Sequence, residues 1–132
     1  MTGLIGLAAT HRRYVPYGHA HYAGGLLDGA YVLGLFGDVA TELCVRGDGD
    51  EGLFAGYEQV RFVAPVRAGD VVAATGTVVR VGNRSRTVRF ECVVVCRGRP
   101  DRGVSAAEVL DPPLLAVSAV GTVVVPAAGG AG

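Results

Sequence analysis

The sequence predicts an α+β fold in which a curved antiparallel β-sheet wraps around one long central helix. Three observations predict it. One stretch alone carries a sustained helical period, with Val32, Phe36, Val39 and Leu43 recurring at i, i+4, i+7 and i+11. Downstream, the chain reads almost wholly as strand, most clearly where Val88, Phe90, Cys92, Val94 and Cys96 alternate with Thr87, Arg89 and Glu91. The 132 residues, 50% of them hydrophobic, suffice for one real core and offer a single helix to place inside it.

Each element follows from its residues. Leu4 to Val15 reads as a first strand, stopped by Pro16. The helix runs from Leu26 or Asp28 to about Val45, with Tyr31, Leu35, Asp38 and Glu42 on a more polar neighbouring face. Gly34 and Gly37 lower helix propensity by about 1 kcal/mol each relative to alanine, so close packing is expected on their side. Gly47 to Gly52 reads as a solvated turn. Strands follow at Tyr57–Val63, Asp70–Val81, Arg86–Arg97 and Leu114–Val125, bounded by Pro65, Gly82-Asn83, Gly98 and Pro126. Pro100 to Pro113 reads as a loop with a short helical turn around Ala106. Strand, long helix and four strands is the order of the hot-dog architecture. Residues 1–126 are expected to form a single hot-dog domain, and 127–132 a disordered C-terminal tail. One such sheet leaves an edge and the far side of its helix poorly covered, which points to a homodimer or higher homo-oligomer.

Composition narrows the function. A formal net charge of zero gives no electrostatic footprint for nucleic acid. No apolar run approaches the roughly 18 residues of a membrane span, and Met1-Thr2-Gly3-Leu4 has no basic n-region, so a cytoplasmic protein is expected. Cys44, Cys92 and Cys96 are odd in number and fall in helix and strand, as small buried apolar residues of a reduced compartment do. All twelve basic residues are arginine. Without lysine there is no Schiff base, no pyridoxal-phosphate aldimine and no Walker-type phosphate loop.

Function is expected at the start of the helix. His19, His21, Tyr22, Gly24, Gly25, Asp28 and Gly29 gather there in sequence, and first-turn N–H groups have no partner inside a helix. That is a place to hold a polarised carbonyl or an anion. His19 and His21 lack a third ligand at suitable spacing, and no metal is expected.

Three blocks carry a family likeness: His21-Tyr22-Ala23-Gly24-Gly25-Leu26-Leu27-Asp28-Gly29-Ala30, Leu35-Phe36-Gly37-Asp38-Val39-Ala40-Thr41-Glu42-Leu43 and Asp48-Gly49-Asp50-Glu51-Gly52-Leu53-Phe54. With Phe62, Ala64-Pro65-Val66, Ala68-Gly69-Asp70, Val81-Gly82-Asn83 and Ser85-Arg86, they make residues 12 to 97 resemble the hot-dog 3-aminobutyryl-CoA and β-alanyl-CoA ammonia-lyases. One departure stands out: Ala23-Gly24-Gly25 occupies the place where Gly-Gly-Asn is expected of that family. The resemblance implies a CoA thioester substrate, reversible elimination or addition of ammonia, and no metal or organic cofactor.

Such a reaction needs a base for the α-proton, donors for the enolate oxygen and a group to manage the proton on nitrogen. Asp28 is the candidate base, and Asp is equally a preferred helix N-cap. Gly29 and Ala30 are the candidate amide donors, with Gly24 and Gly25 allowing close backbone approach; the glycines could instead only shape the turn. His21 and Tyr22 are the candidate proton carriers, or else a turn residue and a packing residue. Glu58 is a candidate ammonium ligand. Asn83, Arg84 and Arg86 are candidates for CoA binding, the arginines for its phosphates, against a bland surface reading. Asp38 and Glu42, at i and i+4, more simply mark a solvated face. The leading expectation is therefore a carbon–nitrogen lyase acting on a 3-aminoacyl-CoA, with acyl-CoA and ammonium as partners and the site at a subunit interface. The alternatives are a hot-dog acyl-CoA thioesterase, an aza-Michael addition that makes a β-amino thioester, or a non-catalytic thioester-binding domain.

Overall fold

The strand whose alternation is clearest lies near the middle of the sheet. In the computed structural model, which describes residues 2–127, five strands pair antiparallel: β1 (Ala8–Tyr14), β2 (Leu53–Phe62), β3 (Val71–Val81), β4 (Ser85–Gly98) and β5 (Ala107–Val124). Their order across the sheet is β1-β3-β4-β5-β2, so β1 and β2 form the two edges. One helix, α1 (Gly29–Asp48), packs on the sheet's inner face. Val32, Phe36, Val39 and Leu43 are all buried, as their period requires. They share one buried cluster with Val88, Phe90, Cys92 and Val94 from β4, and the rings of Phe36 and Phe90 stack with centroids 4.9 Å apart. Gly76 on β3 makes room for this layer: a Cβ there would stand 2.9 Å from Val39 and 3.0 Å from Phe90.

Several boundaries differ from the sequence reading, each for a physical reason. Leu4 to Leu7 is not strand. Thr2–Leu4 forms a 3₁₀ turn, Gly6 takes a φ of +92°, and the Leu4 and Leu7 side chains lie against Gly47. Gly47, expected in a turn, is helical, and its missing Cβ leaves the room that Leu4 occupies. The helix instead ends at Gly49, in the left-handed conformation at φ +67°, whose N–H donates to Val45 O. No described residue of this chain packs on Gly34 or Gly37, since a Cβ on either would meet nothing within 4 Å. β2 begins at Leu53, four residues before the expected Tyr57, because β5 offers partners as far as Val124.

The segment Pro100 to Pro113 differs most. No helical turn forms around Ala106, and β5 starts at Ala107. The prolines fit because the ladder is broken there. Cys96 pairs Val109 and Val94 pairs Leu114, so β5 gains extra residues at Pro112-Pro113 that owe no ladder hydrogen bond. The tail expected over 127–132 lies, beyond Ala127, outside the described residues. Cys44 and Cys92 are buried and Cys96 is half-buried, all as free thiols. No helix among the described residues is long and apolar enough to cross a membrane.

Candidate active site

Asp28 decides where the helix begins. Its backbone is extended, and its Oδ1 accepts the Tyr31 N–H at 3.2 Å, so it caps α1. That bond engages only Oδ1; Oδ2 has no protein partner among the described residues. The N–H groups of Gly29 and Ala30 likewise have no acceptor among the described residues, and the helix dipole adds to their positive end.

The approach to Asp28 is a tight turn. Gly24 and Gly25 both adopt left-handed backbone, at φ +81° and +76°, and Leu26 O accepts the N–H groups of His21 and Tyr22. The conformation at residue 25 is one that, among residues with side chains, asparagine most readily shares with glycine, so the asparagine expected there from the resemblance would fit the same backbone. A Cβ on Gly25 would meet nothing within 4 Å.

A second turn, Ala64 to Asp70, braces the first. Leu27 N–H donates to Val66 O at 2.9 Å, and Ala68 N–H donates to Gly25 O at 2.8 Å. That turn is itself fastened by a buried ion pair. Asp70, 1% exposed, accepts from Arg97 Nε at 3.0 Å and Nη2 at 2.8 Å, and from its own loop through Arg67 N–H at 2.8 Å. Arg97 also donates to Pro65 O. Sequence reading placed Asp70 in a family turn and missed Arg97. An arginine at the end of a strand otherwise closing in small apolar residues was the available signal.

Between the helix start and the end of β2 lies a cavity of about 400 Å³. Tyr22, Asp28 and Gly29 supply its polar groups; Leu27, Val32, Phe62, Val66 and Val117 are among its apolar walls. An acidic residue and a helix-start glycine thus line an otherwise largely apolar space, the usual composition of a small-molecule site. The role of Phe62 in it carried no sequence signal beyond membership of a family block.

Other candidate residues fall elsewhere. His21 is exposed and outside the cavity wall, its ring edge-on to Tyr22 at 4.6 Å. His19 lies against Tyr31 at 4.9 Å. Gly24 faces a different groove, and Glu58 is exposed on the edge strand β2. Ala30 is exposed and outside the cavity lining, so only its N–H, next to that of Gly29 at the helix start, remains a candidate. Arg86 requires a correction. It is 3% exposed, fixed by Asp48 through two hydrogen bonds and by the carbonyls of Gly82 and Ser85, so its guanidinium is spent on structure and cannot clamp a phosphate. Asn83 and Arg84 are exposed on the same hairpin, beside the far end of α1. A 20-residue helix spans about 30 Å, so one chain does not bring them to Asp28. Glu42 is not simply solvated either. Hydrogen bonds from Arg46 and then His11, at 2.6 and 2.7 Å, hold its carboxyl below the usual range.

The model of the thioesterase superfamily matches residues 24–99. The 3-aminobutyryl-CoA ammonia lyase of Acetoanaerobium sticklandii is 52% identical over 107 residues, covering 81% of this chain and 85% of that protein. Among solved structures, β-alanyl-CoA:ammonia lyase from Clostridium propionicum superposes with a TM-score of 0.86 at 36% identity, covering 92% of this chain and 86% of that one. A hexameric hot-dog thioesterase of Campylobacter jejuni shares the fold at a TM-score of 0.69 and 20% identity, over 86% of this chain and 79% of that one.

Proposed function

Because this chain belongs to the thioesterase superfamily and, within it, to the hot-dog 3-aminoacyl-CoA ammonia-lyase family, we propose that it is a carbon–nitrogen lyase interconverting a 3-aminoacyl-CoA with the 2-enoyl-CoA and ammonia. The observation that carries the reading is the pairing, at one helix start, of a carboxylate oxygen and two N–H groups that have no hydrogen-bond partner among the described residues.

The thioester carbonyl accepts from the Gly29 and Ala30 amides, which are fixed before charge develops on the oxygen. Asp28 Oδ2 takes the α-proton, and the electron pair moves into the enolate. The pair then returns, the Cβ–N bond breaks, and an amine that entered as ammonium departs as neutral ammonia. The proton on Asp28 passes to ammonia or water, with the Tyr22 hydroxyl in the cavity wall as carrier and His21 behind it. The thioester itself acidifies the α-carbon, so the step needs no electron-sink cofactor. A placed base contributes about 10²–10⁴-fold and each oxyanion donor roughly 10²–10³-fold.

A second copy completes this reading. β2 is a free sheet edge with Leu53 and Phe62 exposed at its two ends. Two-fold antiparallel pairing of β2 with its counterpart sets the start of one helix beside the end of the other. Asn83 and Arg84 of the second copy then reach the end where this chain holds Asp28, which suits the nucleotide of CoA. Glu58, near the middle of β2, falls at the junction as the ammonium ligand.

Incubation with crotonyl-CoA and ammonium tests the proposal. Loss of enoyl-thioester absorbance without free thiol is the expected result, and the same assay run from 3-aminobutyryl-CoA gives the reverse. Thiol release would transfer the same carboxylate and amides to thioester hydrolysis and refute the lyase reading.

A further inference from the structure

The turn from Ala64 to Asp70 has two faces, and only one of them belongs to the cavity described above. Ala64, Pro65 and Val66 line that cavity, whereas Arg67 to Asp70 line a second groove of about 530 Å³. The ends of β1 and β4 and the start of β5 complete this groove, and no residue of the β2 edge lines it. Arg97 enters it with its hydrogen bonding unfinished. Nε and Nη2 are taken by Asp70 and Pro65 O, while Nη1 has no partner among the described residues. No side-chain nitrogen among those residues is sealed from solvent without a partner, so Nη1 opens onto the groove that Arg97 lines. The side chain is only 15% exposed, so its pairing with Asp70 fixes where that free donor points. Arg67 lines the same groove and bonds to described residues through its backbone alone. Asp70 neutralises Arg97, which leaves the groove with the positive charge of Arg67. Ser105 is a further lining residue. Tyr17, whose Cε1 lies 3.1 Å from where a Cβ on Gly69 would stand, and Tyr14, edge-on to it at 6.5 Å, form an aromatic wall.

We propose that this groove binds a phosphorylated nucleotide, its phosphoryl group on Arg67 and Arg97 Nη1 and its base on the tyrosine wall. Two guanidinium groups and a hydroxyl offer more N–H and O–H donors than the two oxygens of a carboxylate use, and a phosphoryl group has three oxygens to receive them. An aromatic ring takes any base by stacking, because every base has a π-face. Such a ligand has two sources: a free nucleotide, or the nucleotide end of an acyl-CoA passing over the turn. Either one grips the turn whose Val66 O and Ala68 N–H hold the approach to the helix, so occupancy of the groove bears on the site from behind.

Isothermal titration calorimetry with AMP, on the protein in its own assembly state, tests the proposal. AMP should bind saturably, and Arg67→Gln should weaken it by at least about tenfold, the worth of a hydrogen bond to a charged group. Tyr17→Leu should weaken it as well by removing the ring; circular dichroism melts check that both variants stay folded. Repeating the titration on protein saturated with butyryl-CoA distinguishes the sources. Retained AMP binding assigns the groove to a free nucleotide, and displacement assigns it to the nucleotide end of the acyl-CoA. Absence of AMP binding to the wild type, or an affinity unchanged in both variants, overturns the proposal. Neither result bears on amination of crotonyl-CoA, which tests the lyase reading by itself.

Discussion

Replacing Arg97 by methionine would remove the fastening of the turn that braces the site, and its cost can be worked from the structure. Asp70 is 1% exposed and accepts three N–H bonds, two of them from Arg97. In Arg97→Met the carboxylate keeps only the Arg67 N–H, and a buried charge stripped of its partner destabilises by about 3–5 kcal/mol. Unfolding entropy near 2.1 cal/mol/K per residue gives a 132-residue chain about 0.28 kcal/mol/K, so the melting temperature should fall by about 11–18 °C. Thermal melts followed by circular dichroism measure this directly. The double variant Asp70→Asn/Arg97→Met, which holds no unpaired charge, should recover part of the loss. In the single variant the Leu27 and Ala68 amides, which join the two turns, should also exchange hydrogen faster than in wild type. A fall of less than about 3 °C, or a double variant no more stable than the single, would refute the reasoning that burial makes this pair matter.

Asp28 separates capping from chemistry. Asp28→Asn should keep the cap and the melting temperature while losing roughly 10²–10⁴-fold in crotonyl-CoA amination, whereas Asp28→Ala should lose activity and about 1 kcal/mol of stability as well. Full turnover by the asparagine variant would remove Asp28 as the base. The Tyr57 hydroxyl donates to Leu33 O at 2.6 Å, and burial pushes its phenol up to about 12 from an ordinary 10. A raised value means its contribution is complete below pH 10 and is lost as pH climbs towards 12, because only the unfolded chain ionises there. Urea midpoints between pH 9 and 11.5 should therefore fall less steeply in Tyr57→Phe than in wild type.

Much of this was legible because side-chain period reports on burial. The helix stripe from Val32 to Leu43 and the alternation through β4 each have one face against the core, and both elements sit where their patterns put them. Segments whose structure depends on distant partners were not legible. Leu4 to Leu7 looks like strand but packs on Gly47, and Pro112-Pro113 looks like loop but occupies a break in a ladder. At the site, Asp28 could be named from sequence because a cap is a local device, whereas Arg97 and Phe62 act through contacts to residues far away in the chain. Arg86 shows the opposite failure. Its position after a glycine turn suggested a ligand for phosphate, yet a charged side chain facing inward at a helix end found Asp48 instead.

The Asp48–Arg86 fastening has a consequence at the opposite pole of the molecule. A rod anchored at its tail cannot slide lengthwise in its cradle, and Arg86 grips a carbonyl on each side of a hairpin turn as well as the last helical carboxylate. The leading amides are thereby held at a fixed distance from the wall of β5. Loosening the tail, by Asp48→Ala for example, would let the tip drift, and a polarised oxygen would then have to wait for its donors to arrive.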